Sequence, residues 1–240
     1  MTRIADGVVR LGSSRVNFYA IEEDGRFTLV DAGLPGFYDQ IAEAVGDLGR
    51  IEAIVLTHAH GDHVGCAERL RTEANIPVFV HTADEELART AKQPSRDGNI
   101  LPALLHPTAW QMLAHMIANG AARPQRLGEV TTFTDGEVLD VPGRPQVIHT
   151  LGHTNGHVAL HFADRGVLVA GDEIVTWHPI SGRRGPQIQP SAFNISTAQV
   201  LASLDRLEHV EADLMLSGHG EPWTQGPRVA VEQARATGPS

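Results

Sequence analysis

The chain has very little sulfur chemistry. Cys66 is its only cysteine in 240 residues, which excludes an internal disulfide and fits a reducing compartment. Basic charge is also short. Lys and Arg number 19 against 29 Asp and Glu, a formal net charge of −10, and the only basic cluster is the pair Arg183-Arg184. An acidic chain without a segregated basic patch repels phosphate backbones, so no nucleic-acid partner is expected. Long apolar runs are missing as well. The start, Met1-Thr-Arg-Ile-Ala-Asp-Gly, has no apolar stretch before a small-residue cleavage site, so neither a signal peptide nor a membrane span is read, and the expected location is cytoplasmic. Hydrophobic content of 42% and charged content of 20% are ordinary for a globular protein, and the length supports a substantial core.

Histidine is what the chain has in excess, thirteen in all, and its densest cluster is Thr57-His58-Ala59-His60-Gly61-Asp62-His63-Val64-Gly65. The cluster follows Ile54-Val55-Leu56, an apolar run that reads as a buried strand, so it is expected at a strand end. On an extended segment His58 and His60 project to the same side. Gly61 lets the chain turn, and Asp62 and His63 then open a helix that continues through Leu70. A bend between the pairs aims His58 and His60 at one cation and Asp62 and His63 at a neighbouring one. Imidazole and carboxylate without thiolate suit zinc, iron or manganese. Cys66, just past the cluster, reads as a buried small hydrophobe.

Three further motifs follow: Gly152-His153-Thr154-x-Gly156-His157, Gly171-Asp172, and Ser217-Gly218-His219-Gly220. With His58-x-His60-x-Asp62-His63 in front, their order resembles the metallo-β-lactamase fold superfamily, which includes glyoxalase II, lactonases, RNase Z and persulfide dioxygenases. The resemblance runs from about Asp31 to His219, apart from the segment between about Thr82 and Glu129. It implies an α/β fold, a four-layer αββα sandwich with the metal site at the edge between two β-sheets. It also implies that His58, His60 and His153 take one metal, that Asp62, His63 and His219 take a second, and that Asp172 bridges them. Asp31, in Asp31-Ala32-Gly33, is expected beneath the metal loop as an acceptor from a ligand. His157 is expected to be structural, and His81, His149, His161 and His209 take ordinary roles.

Along the chain, strands are expected at Val8 to Leu11, Val16 to Ile21, Phe27 to Val30 and Val78 to Val80. The second half repeats that pattern at Val130 to Phe133, Glu137 to Val141, Gln146 to His149, His157 to Phe162, Val167 to Ala170 and Asp213 to Leu216. Helices are expected over Pro35 to Leu48, Asp84 to Ala91, Trp110 to Ala118, Ser196 to Leu207 and Arg228 to Arg235. Residues 1–240 thus read as a single hydrolase domain, with a helical insertion at about 82–129 that serves as a substrate lid. Trp110, Met112, Leu113, Met116 and Ile117 either line a pocket or pack on their own core, and the insertion also offers a homodimer contact. A Gly/Pro-rich loop after Asp172 supplies Trp177 and His178 as further pocket candidates.

The resemblance implies a dinuclear hydrolase with two divalent ions, zinc first, whose shared hydroxide attacks the carbonyl of a small ester, thioester or lactone. Asp62 is the expected catalytic carboxylate, passing a proton to the leaving group. An Asp at position 172 sets the chain apart from the β-lactamases that use a thiolate there, and His60 sets it apart from the oxygen-reducing diiron flavoproteins. Only residues 220–240 follow His219, too few for the C-terminal glutathione-binding region of glyoxalase II members. Lactonases often place a tyrosine near the metals; here only Tyr19 and Tyr38 exist. The alternative from another class is a mononuclear iron persulfide dioxygenase using His58, His153 and Asp172 as a facial triad.

Overall fold

The computed structural model describes all residues 1–240. The first half builds a seven-stranded sheet whose spatial order follows the chain: β1 (Thr2–Ala5), β2 (Val8–Gly12), β3 (Asn17–Glu23), β4 (Arg26–Val30), β5 (Ile51–Val55), β6 (Val78–His81) and β7 (Thr131–Phe133). Strands β1 to β4 pair antiparallel through tight turns, and β4 to β7 run parallel. The parallel crossovers carry α1 (Tyr38–Val45), α2 (Ala67–Ala74) and the insertion, which contains α3 (Glu85–Thr90), a 3-10 turn at Leu101–Leu105 and α4 (Pro107–Ala118). The second sheet holds β8 (Gln146–His149), β9 (Val158–Phe162), β10 (Val167–Gly171) and β13 (Leu214–Ser217) in the order β13-β10-β9-β8. Between β10 and β13 lie a hairpin of β11 (Val175–Trp177) and β12 (Arg184–Gln187), then α5 (Thr197–Ser203); α6 (Gly226–Thr237) closes the chain.

The layering follows from period-two burial on both faces of the strands. In β3, Phe18 and Ala20 face α1 and α2, where they meet Ile41, Val45 and Leu70, while Tyr19 and Ile21 face the second sheet. In β10, Val167 and Val169 meet that same inter-sheet core, and Leu168 and Ala170 turn to α5 and α6 with Val200, Val231 and Ala234. Three cores thus lie between four layers, helices–sheet–sheet–helices, the expected αββα sandwich.

Three local expectations are corrected. The helix after the histidine cluster begins at Ala67 rather than at Asp62. Residues 61–66 form turns because His63 and Val64 both donate backbone N–H groups to the His60 carbonyl. Residues 137–141 contribute only an isolated bridge, Val138 to Gln146, instead of a strand. There the Glu137 carboxylate accepts from both the N–H and the hydroxyl of Thr134 (2.6 Å each), folding the chain into a local turn. The Gly/Pro-rich stretch after Asp172 is the β11–β12 hairpin, not a loop. Ser196 does cap α5 as expected, its hydroxyl accepting from the Gln199 N–H at 3.3 Å. Cys66 is buried, its thiol donates to the Leu34 carbonyl, and burial pushes its pKa up to about 12.

Candidate metal centre

The site lies where chain segments leave the C-terminal ends of β4, β5, β10 and β13 and meet the β8–β9 loop. Loops beyond the carboxyl ends of parallel strands are the usual crevice for ligands in such sheets. Asp31 ends β4 in a left-handed conformation, φ +64°, which Asp tolerates better than most residues. The bend turns its carboxylate under the β5 loop. There it accepts from the Thr57 N–H (2.7 Å), the Thr57 hydroxyl (2.8 Å) and His63 Nδ1 (2.8 Å). Asp172 follows Gly171, whose φ is +54°; a Cβ at Gly171 would press on the His157 ring and Thr57.

The hydrogen bonds orient the imidazoles consistently. His58 Nδ1 lies 3.1 Å from the Thr57 hydroxyl, whose own proton goes to Asp31, so His58 is the donor. His63 Nδ1 donates to Asp31, His153 Nδ1 to Asn194 Oδ1 (3.0 Å), and His219 Nδ1 to the Arg15 carbonyl. In the neutral form of each ring the anchored Nδ1–H leaves the Nε2 lone pair free, and these nitrogens face one another across a small space. Backing of this kind is how metal-ligating histidines are held in one tautomer. His58 Nε2 lies 3.0 Å from His60 Nδ1. Asp172 stands in the middle, with Oδ1 3.6 Å from His63 Nε2 and Oδ2 3.5 Å from His153 Nε2 and 3.1 Å from His219 Nε2. Asp62 Oδ2 is 3.6 Å from His219 Nε2 and 4.0 Å from His63 Nε2.

Three clusters able to hold a metal ion result: His58, His60 and His153; Asp62, His63 and His219; and His58, His63 and Asp172. The donor set fits divalent cations on a separate observation. His63 Nε2, His153 Nε2 and Asp172 Oδ1 are buried without any hydrogen-bond partner. Buried lone pairs left so cost free energy unless something electropositive sits between them. Protonation divides the set. Burial, then the neighbouring imidazoles, holds His58 and His60 well below the ordinary histidine range, so both are neutral donors. Burial opposes charge on His63 too, but the Asp31, Asp172 and Asp62 carboxylates outweigh it and raise its pKa. His219 is raised in the same way, by Asp172 above all, against its burial.

Several supporting residues carry no sequence motif. Asp84 is buried and accepts from the Ala59 N–H (3.1 Å), the Thr154 hydroxyl (2.7 Å) and the Gly156 N–H (2.7 Å), which ties the His58–His60 loop to the His153 loop. Gln189 donates to Asp172 Oδ2 at 2.6 Å, and Asn194 orients His153. His157 is structural: its Nδ1 pairs with the Thr150 hydroxyl and its Nε2 accepts the Asp172 N–H at 3.0 Å. His81 stacks on His149, ring centroids 4.2 Å apart, away from the clusters.

A cleft of about 370 Å³ opens over the centre, with His60, Asp62, His153, Asp172 and His219 in its floor. The insertion supplies much of the rest of its lining, including Met112, Leu113 and Met116. The three residues expected in the pocket lie elsewhere. Trp110 is exposed, its indole N–H donating to the Leu104 carbonyl, because it sits on the outer side of α4. Trp177 borders a second depression with Arg15 and Trp223. His178 is held inside its own hairpin, accepting from the Ser181 N–H at Nδ1 and meeting the Ser240 hydroxyl at Nε2.

Comparison with known proteins agrees with this architecture. The family profile described as "Metallo-beta-lactamase superfamily" matches residues 11–219. "Probable metallo-hydrolase YflN" of Bacillus subtilis (strain 168) is 30% identical over 241 residues, covering 92% of this chain and 86% of that protein. A hydroxyacylglutathione hydrolase of Cereibacter sphaeroides is 31% identical over 171 residues, covering 71% of this chain and 49% of that protein. Among solved structures, a metallo-beta-lactamase family protein of Thermus thermophilus superposes with a TM-score of 0.69 at 24% identity, covering 97% of this chain and 79% of that one. This last likeness is one of fold.

Proposed function

The chain belongs to the metallo-β-lactamase superfamily, and from that premise we propose that it is a dinuclear metal-dependent hydrolase acting on a small ester, thioester or lactone. The observation that carries this reading is Asp172, buried between two three-residue clusters with one oxygen unpartnered, at the floor of an open cleft. His58, His60 and His153 would hold one ion, Asp62, His63 and His219 the other, with Asp172 shared. Divalent ions bound there, zinc in first place, supply Lewis acidity and with it a nucleophile from water near neutral pH.

The remaining work falls to the chain. The cleft floor presents His60, Asp62 and His219 to a bound substrate. Asp62 lies in the cleft floor with its carboxylate partly exposed, where the oxygen not turned to His63 and His219 could carry a proton toward a leaving oxygen or sulfur. Gln189 and the His157-bound backbone N–H hold Asp172 in one orientation, with Oδ2 facing both His153 and His219 and Oδ1 facing His63. Asp31 anchors His63 at Nδ1, so the proton that the ring gives up to present a lone pair is the one at Nε2, facing Asp172 and Asp62.

The test is elemental analysis of protein purified without added metal, run beside a panel of esters, thioesters and lactones. About two zinc ions per chain, with hydrolysis lost in His60→Ala and Asp172→Ala, is the expected result. One iron per chain, with oxygen uptake on a persulfide and no hydrolysis, would replace this reading with the dioxygenase.

A further inference from the structure

The helix α4 is apolar along much of its length, yet none of its twelve residues is buried. Helices of this composition normally sink a stripe into a core. Here Ala109, Met112, Leu113 and Met116 fall at i, i+3, i+4 and i+7, the spacing of one helix face, and all four line the cleft above the metal centre. Met112 and Met116 are half-buried, packing in part against the core beneath the first sheet's helices, and the remaining surface of the stripe faces the cleft that leads to His60 and Asp62. Ile100, Leu104, Ile180 and Phe193 extend the apolar lining. Outside the metal-binding floor the only charged side chain in the wall is Arg96, whose guanidinium lies 5.7 Å above the Phe193 ring. A polar floor under apolar walls matches a substrate with one reactive carbonyl and an aliphatic remainder. Met112 and Met116 add adaptable surface, which suits a flexible chain better than a rigid ring.

We infer that the acyl half of the substrate is an unbranched aliphatic chain, lying along the Ala109–Met112–Leu113–Met116 face with its carbonyl over Asp172. This rests on the hydrolase reading for the reaction, but the cleft itself can be tested apart from catalysis. Burial of each CH2 from water corresponds to about a fourfold gain in binding or in kcat/KM. The full-length, metal-loaded protein is assayed on 4-nitrophenyl esters from acetyl to decanoyl, and binding of methyl ketones of matching chain length is measured by calorimetry. The expected result is a rise of about fourfold per CH2 in both series until the cleft is filled. Leu113→Asp and Ile100→Asp, both at half-exposed positions that tolerate a polar side chain, should flatten both slopes. Leu105→Asp, 84% exposed and outside the cleft, should leave them unchanged. Ketone binding that strengthens with chain length while no ester is hydrolysed supports the acyl cleft and removes the hydrolase reading. Hydrolysis and ketone binding that are both indifferent to chain length overturn the inference and leave the hydrolase reading in place.

Discussion

Replacing Asp31 by asparagine alters a single buried atom, and the change should be felt 32 residues away at His63. The carboxylate is acceptor-only and takes three hydrogen bonds, from the Thr57 N–H, the Thr57 hydroxyl and His63 Nδ1. Asparagine keeps the shape and tolerates the +64° φ, so the fold is expected to survive. If its carbonyl stays on the Thr57 N–H, the new NH2 group faces His63 Nδ1. The ring then has to present a lone pair at Nδ1 and carry its proton on Nε2, the atom that points at Asp172 and Asp62. A hydrogen bond to a charged group is worth about 1.5–3 kcal/mol. Expressed as affinity that is about 10- to 150-fold, comparable with the ~10- to 100-fold seen when the partner of a ligating histidine is removed. Competition with a chelator, reading the weaker of two binding steps, should show that step weakened by about this factor while the step assigned to His58, His60 and His153 moves little. An Asp31→Asn protein that binds both ions as tightly as the parent would refute the tautomer argument.

Other consequences are equally direct. Asp84→Ala leaves two buried backbone N–H groups, those of Ala59 and Gly156, without an acceptor, so denaturant titration should show a loss of about 2–6 kcal/mol. Gly218→Ala would place a methyl group between the Asp172 carboxylate and the His63 ring, and retention of the second ion in that variant would contradict the assigned geometry. Against their burial, neighbouring carboxylates raise the pKa of His63 and His219, so in the metal-free protein these two rings hold a second proton to higher pH than an ordinary histidine, and a metal competes with it; burial lowers His58, His60 and His153. Metal affinity should therefore rise as pH climbs through the raised values, and calorimetry in buffers of different ionisation enthalpy should detect protons released on loading. Cys66, buried with its thiol pKa at about 12, should resist thiol reagents until the protein unfolds.

What the sequence determined by itself is the local chemistry and the order of the elements. The seven residues that the structure gathers into three clusters were all legible as ligand types. His58, His60, Asp62 and His63 are close neighbours in the chain, and His153, Asp172 and His219 each directly follow a glycine. The apolar stretches Val16 to Ile21 and Val167 to Ala170 were legible as strands, and because the side-chain period of a strand is two, the structure divides each between two cores. Tertiary structure alone decided what holds those ligands in place. Asp84 reaches Gly156 across 72 residues, Asn194 reaches His153 across 41, and Gln189 meets Asp172 only because the β11–β12 hairpin folds back. Such residues carry no local pattern, since an acceptor is chosen by position in space and not by its neighbours in the chain. The pocket was decided in the same way. Trp110 and Met112 share one short helix, yet one faces solvent and the other the cleft, and the rotation of α4 about its axis is set by packing against the sheet's helices.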